Sequence, residues 1–348
     1  MSFGPAWHDK STGRDVPPDK LTPIVRAAAR QLVEDLRRAE TLTDKWSDPG
    51  LADVLVAAAL DECLERLAAT SCWGEANRVP SNELWRIAGP VLEAGWLQHR
   101  ARFKPLGYAG DFEMLARICG QTSCPDPLGR AFDHYFLSLA APQAVRARTQ
   151  QTTAAMVAHC LKHDGETYRV VSVGSGPAID VCDAVSLLPG EHRGRLRVTL
   201  LEIDPKALEF ARAKLALLLP DGSFECVRTN LFRLPQTAAR DATFADADFL
   251  VCPGLFDYLE DAPAIAMLRH FRQQLRAGGL LLVGNFAPHN PTRAYMEWIG
   301  NWYLLYRTAE QLHRLAVEAG MREDRFQIGS ERLGVNLFLV ARKEIPNS

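Results

Sequence analysis

No C-x-x-C pair occurs among the eight cysteines, at 63, 72, 119, 124, 160, 182, 226 and 252, and no histidine cluster accompanies them. With no C-x-x-C pair and no histidine cluster, the spacing argues against a structural zinc site and leaves reduced, mostly buried thiols as the expectation. No metal site is expected. Strong charge of one sign is also missing: 40 Lys+Arg against 42 Asp+Glu leave a formal charge of −2. A footprint for wrapping nucleic acid is therefore absent. No apolar run approaches the ~20 residues needed to cross a bilayer. The opening Met1-Ser2-Phe3-Gly4-Pro5-Ala6-Trp7-His8-Asp9 has neither the basic nor the apolar region of a signal peptide. A cytoplasmic protein is expected, with no nucleic-acid partner and no membrane span.

What is present describes an ordinary folded chain. An apolar content of 47% over 348 residues suits one large or two modest domains. Residues 1–20 lack periodicity and read as an arm. Apolar positions then recur helically at Ile24, Val25, Ala28, Leu32 and Leu36, and again at Leu55, Ala59, Leu60, Cys63 and Leu67 after Asp48-Pro49. Ser81 is expected to cap a third helix that reaches about Arg102 and bends at Pro90. Asp126-Pro127 opens another, and a helix over 143–162 leads into the second half.

From residue 168 the pattern alternates. Strands are expected over 168–173, 197–203, 223–229, 247–252 and 280–283, then near 324–329 and 334–341. A helix from Pro263 should stop at Gly278-Gly279. Further helices are expected around 291–300 and 308–319. The fold class is α/β, a Rossmann-like doubly wound sheet behind a helical lid. The expected domains are 1–145, helical and substrate-facing, and 146–348, cofactor-binding.

The stretch Val170-Val171-Ser172-Val173-Gly174-Ser175-Gly176-Pro177 organises the second half. Valines read as a buried strand; Gly174 and Gly176 permit a tight turn and close ligand approach. Glu202, in Glu202-Ile203-Asp204-Pro205, ends the next strand with a carboxylate suited to both hydroxyls of a ribose. The third glycine of a dinucleotide fingerprint is missing, since Ile179 holds its place. That disfavours a pyrophosphate ligand and favours a simpler nucleoside. S-adenosyl-L-methionine is the candidate. The stretch resembles the first two motifs of class I methyltransferases, which implies seven strands closed by an antiparallel hairpin.

Ligands of open α/β sheets lie beyond the carboxyl ends of the strands. That rule selects Gly174, Ser175, Gly176 and Pro177; Glu202, Ile203 and Asp204; Asn230 and Leu231, which could recognise adenine; and Pro253, Gly254 and Asp257. Asn285–His289 falls in the same zone. The order Asn/Asp-Pro-Pro-aromatic is absent at Pro253-Gly254-Leu255-Phe256, disfavouring DNA or glutamine as methyl acceptor.

Five stretches carry a narrower resemblance: Lys104–Met114 (KPLGYAGDFEM), Ala144–Arg148 (AVRAR), Gly254–Leu259 (GLFDYL), Gly284–Glu297 (GNFAPHNPTRAYME) and Trp302–Thr308 (WYLLYRT). Together, over roughly 104–312, they are similar to the bacterial biosynthesis proteins for the extracellular factor 3-hydroxypalmitic acid methyl ester. Ala147 departs from an expected asparagine, and Glu202 replaces the usual aspartate. The resemblance implies methylation of a fatty-acid carboxylate to a diffusible signalling ester. An ionised carboxylate needs orientation rather than a base. Arg146, Arg148, Arg307 and Lys104 are the candidate cations, with Tyr108, His289 and Tyr306 as donors. For a phenol or alcohol, His134 or His289 would be the base to test. Two other readings stay open: O- or N-methylation of another natural product, and a non-catalytic nucleoside-binding module.

Overall fold

The computed structural model describes residues 18–236 and 244–345. The arm expected over 1–20 lies, up to residue 17, outside them. The chain forms two compact units: one runs through Pro142 and includes Pro291–Tyr303, and the other holds Gln143–Asn290 and Leu304 onward.

The first unit contains α1 (Pro18–Leu42), α2 (Pro49–Ala68), α3 (Arg78–Leu92), α4 (Trp96–Phe103), α5 (Phe112–Gly120) and α6 (Pro127–Ser138). α1 buries Val25, Ala28, Leu32 and Leu36, and packs on α2 and α3. Asp-Pro pairs start two of these helices. Asp48 accepts from the Leu51 amide at 3.1 Å and Asp126 from the Gly129 amide at 2.7 Å, each followed by a proline at the first helical position. Such a cap is worth ~1 kcal/mol. The helix expected from Ser81 to Arg102 is two helices. Pro90 stays inside α3, and the break comes at Gly95, where a Cβ would strike Phe132 Cβ at 2.8 Å. Ser81 is not a cap, since α3 starts at Arg78; its hydroxyl donates to the Trp298 carbonyl at 2.9 Å.

The helix expected over 291–300 is a π-helical turn, Tyr295–Ile299, and it belongs to this first unit rather than to the domain expected over 146–348. Its fastenings explain the grouping. Glu297 accepts from the Gly74 amide at 2.6 Å, Trp85 Nε1 donates to the Ile299 carbonyl at 2.9 Å, and Tyr295 donates to Gln98 at 2.8 Å.

The second unit begins within α7 (Ala140–Leu161) and continues through β1 (Tyr168–Val173), α8 (Ile179–Leu187), α9 (Gly190–Gly194), β2 (Leu196–Glu202), α10 (Pro205–Leu215), β3 (Phe224–Arg228), β4 (Ala247–Cys252), α11 (Asp261–Gln274), β5 (Leu275–Phe286), α12 (Ala309–Glu318), β6 (Phe326–Ser330) and β7 (Asn336–Arg342). The strand order is β3-β2-β1-β4-β5-β7-β6. β1 to β5 run parallel, and β7 is antiparallel to both β5 and β6. Both faces are covered. Val171, Val173, Leu250 and Leu281 pack with α11 and α12, while Val170, Val198, Phe249 and Leu282 pack with α7, α8 and α10. The alternation follows from the period of two along a strand.

Gly278-Gly279 does not end a helix. α11 stops at Gln274, and both glycines lie inside β5, Gly278 at φ 80° with its amide donating to Lys343 O at 3.0 Å. A Cβ on Gly279 would meet the Ala247 carbonyl at 2.7 Å, so β5 reaches β4 only with glycine there. No helix among the described residues is long and apolar enough to cross a membrane.

Candidate functional site

The strand order reverses between β1 and β4, and the crevice beyond their carboxyl ends is where such sheets bind ligands. Gly174 and Gly176 turn the chain there at φ 64° and 48°, and the Gly174 amide donates to Leu201 O at 2.9 Å. A Cβ on Gly174 would meet only Leu231 at 3.5 Å and Leu255 at 3.9 Å. Glycine is needed for the backbone angle, and the turn is bordered by apolar side chains. Ser175 Oγ is buried without a hydrogen-bond partner among the described residues. A buried hydroxyl left so points to a ligand group.

Glu202, 6% exposed, faces this turn. It accepts from the Gly176 amide at 2.9 Å, from Ile203 at 2.7 Å and from Asp204 at 3.2 Å. An ionised carboxylate has about four acceptor positions, so capacity remains for a hydroxyl. Ile203 next to it is 42% exposed, an apolar side chain left uncovered at the strand end. Asp204 instead caps α10, accepting from the Lys206 amide at 2.9 Å. Asn230 is exposed and accepts from the Phe232 amide at 3.1 Å; Leu231 is buried.

Beyond β4 and β5 lies a second cluster. Arg148, 7% exposed on α7, donates to Pro253 O at 2.8 Å and to Asn336 Oδ1 at 3.3 Å, with the Asp257 carboxylate 3.8 Å away. Its Nη2 would lie 3.5 Å from a Cβ on Gly254. Asp257 accepts from the Phe286 amide at 2.7 Å and from Asn285 at 3.0 Å, so it ties two strand ends. Burial pushes its carboxyl up to about 6 against the pull of Arg148. Asp180, in the first turn of α8, is likewise pushed up to about 6 by burial, opposed by the Val181 amide and Arg148. One cation thus faces two reluctant carboxylates.

The sheet has the class I methyltransferase order. No protein-family model matches the chain, and no curated protein does. Among solved structures it is similar to a possible exported protein from Bordetella parapertussis, with a TM-score of 0.55 and 18% identity over 95% of this chain and 99% of that one. Weaker likenesses reach magnesium protoporphyrin IX methyltransferase from Synechocystis PCC 6803 with bound SAH (TM-score 0.43, 17% identity, 59% of this chain and 87% of that one). Another is to the S-adenosylmethionine-dependent methyltransferase SibL in its apo form (TM-score 0.43, 16% identity, 94% and 99%). At these identities the likeness concerns the fold.

The remaining expected residues are scattered. Arg307, 4% exposed, donates to Phe256 O at 2.9 Å, Asn285 Oδ1 at 2.8 Å, Leu259 O, and Asp261 at 3.0 Å, so its fork is occupied in joining the strand ends. Arg146 is half-buried on α7, where it lines a groove of about 430 Å³ with Gln150, Glu331, Arg332 and Leu333. His289 is exposed beside Gly334, and Tyr306 is half-buried on the segment before α12. His134 is exposed, 3.0 Å from Asp53. Tyr108 and Lys104 lie in the first unit. Asp180 and Asn336 were not among the expected site residues. An acid in the first turn after a glycine turn was a legible sign of Asp180; nothing local marks Asn336, 188 residues from Arg148.

The residues at the crevice fit a nucleoside with an amino-acid tail. Glu202 offers acceptors, Ile203 and Leu231 apolar faces, Ser175 an unused hydroxyl, and Arg148 a cation at Gly254.

Proposed function

We propose that this chain is an S-adenosyl-L-methionine-dependent methyltransferase that O-methylates the carboxylate of a long-chain 3-hydroxy fatty acid or a related small acid. The observation that carries the reading is Glu202, a buried carboxylate held against the glycine turn with acceptor capacity to spare. The buried, unpartnered Ser175 hydroxyl in the same turn supports it. The five sequence stretches argue for an acid as the methyl acceptor.

In this reading Glu202 takes the ribose hydroxyls, and Ile203, Leu231 and Asn230 hold the adenine. Gly174, Ser175, Gly176 and Pro177, with Pro253, Gly254, Asp257 and Arg148, surround the methionine end. When bound, the cofactor supplies an electrophilic methyl group. A carboxylate acceptor is already ionised at neutral pH, so no residue needs to remove a proton. The chain's own task is to align the acid and exclude water from it. Arg146, Tyr306 and His289, all of the second unit, are the groups proposed to orient it. Arg307 contributes by holding the ends of β4 and β5 in place.

The test is incubation of pure protein with methyl-labelled cofactor and a panel of fatty acids, phenols and amines. Label in base-labile esters is expected. Label only in phenols or amines would overturn the acid as acceptor, and no transfer together with no cofactor binding would overturn the enzyme.

A further inference from the structure

Two cations of the first unit have no carboxylate partner among the described residues. Arg102, 9% exposed, donates to the Ser81 hydroxyl and the Asn82 side-chain oxygen, both at 2.5 Å, and lies 5.1 Å from the centre of the Trp85 ring. Lys104, half-buried and in left-handed backbone geometry at φ 47°, donates to the Asn301 carbonyl at 2.7 Å. Two residues past Asn301 comes Tyr303, with the Arg78 guanidinium 4.9 Å from its ring centre. Arg78, Ser81, Asn82 and Trp85 are spaced to share one face of α3. Arg102 and Tyr303 are therefore held along one helix face, with Lys104 tied to the chain two residues before Tyr303 and close enough to Arg78 and Arg102 to be repelled by them.

Tyr303 Oη is buried and has no hydrogen-bond partner among the described residues. The acids that act on it are already engaged: Glu75 with Arg78 at 2.6 Å, and Glu297 with the Gly74 amide and Arg293, each at 2.6 Å. Burial pushes the Lys104 ammonium down to about 8, with repulsion from Arg78 and Arg102 adding to it, and burial pushes Arg102 down to about 10. Buried like charges beside an orphaned phenol are costly, and an anion among them removes that cost.

We propose that Arg102, Lys104 and Tyr303 form an anion site that takes the carboxylate of an organic acid. The walls are aromatic: Trp85 packs edge-on to Phe103 at 5.7 Å, and Phe103 is 52% exposed. Such surroundings suit a carboxylate carrying an apolar group better than a hydrated inorganic oxyanion. Part of the Arg102 fork is already used by Ser81 and Asn82, which leaves few donors for a tetrahedral dianion. The site shares its ligand class, an apolar carboxylate, with the proposed function, but it needs neither the glycine turn nor Glu202 and is tested separately.

The experiment is isothermal titration calorimetry on the full chain without cofactor, using sodium octanoate, 1-octanol and inorganic phosphate. Saturable octanoate binding is expected, with no comparable binding of octanol or phosphate. Tyr303→Phe and Lys104→Met should each weaken it about tenfold, the loss of one charge-assisted hydrogen bond, with unchanged circular dichroism. Arg102→Gln should abolish it; where that variant does not fold, the other two decide. No octanoate binding, equal binding of octanol, tighter binding of phosphate, or unchanged affinity in both milder variants overturns the proposal. Since the readout is binding alone, its failure leaves the methyl-transfer test intact.

Discussion

Two buried carboxylates of the candidate site, Glu202 and Asp180, have surroundings that set opposite expectations for them. Glu202 accepts from three backbone amides and keeps capacity for one more donor. Glu202→Ala strips those amides of their acceptor and removes any ribose contact. A hydrogen bond to a charged group is worth ~1.5–3 kcal/mol, so affinity for S-adenosylhomocysteine should fall by roughly ten- to a hundredfold in a calorimetric titration. Unchanged affinity would remove Glu202 from the site. Asp180 behaves otherwise, because burial raises its carboxyl from 3.8 to about 6. Between those values the folded state binds more protons than the unfolded one, so stability falls as pH rises through that window. The cost is complete above about 6 and absent below 3.8. Asp180→Asn should therefore stabilise the protein by on the order of 2–3 kcal/mol at pH 7.5, with the gain shrinking toward zero near pH 4. Denaturant midpoints of both proteins across that range check it, and a gain that ignores pH would disprove the cause.

At the scale of elements, the sheet is held at positions where a side chain has no room. Gly284 in β5 is one: a Cβ would stand 2.3 Å from the Pro253 carbonyl and 3.4 Å from Arg148 Cδ. Backbone cannot swing aside as a flexible side chain can. Gly284→Ala should cost on the order of 2–3 kcal/mol and disturb the Arg148–Pro253 contact; an unchanged urea midpoint would show that β5 can shift. The strands were legible because parallel strands covered on both faces read as apolar runs. β4 has its expected bounds, Ala247–Cys252. β5 starts earlier than expected, because Gly278-Gly279 carries the signature of a helix stop while its real constraint is the Ala247 carbonyl, a contact no local pattern reveals. The π-helical turn at Tyr295–Ile299 was hidden similarly, its fastenings lying more than 190 residues away in sequence.

Across the whole molecule, legibility followed how local the information was. The glycine turn and Glu202 each sit at the end of one strand, so a rule about strand ends located both. The Arg148 cluster draws on positions 148, 253, 257 and 336, and the cation cluster on 78, 102, 104 and 303; only folding brings either together. The same distinction yields a prediction on ligand effects. A ligand at a hundred times its Kd stabilises the state that binds it by ~2.7 kcal/mol, about a hundredfold in the exchange rate of amides whose opening releases it. With saturating S-adenosylhomocysteine, hydrogen exchange should slow most over 173–178, 202–205, 230–232 and 253–257. Peptides from α1 and α2 should stay unchanged. Slowing centred on the groove beside Arg146 and Arg332, or on the helices of the first unit, would place the nucleoside elsewhere and separate the glycine turn from any ligand role.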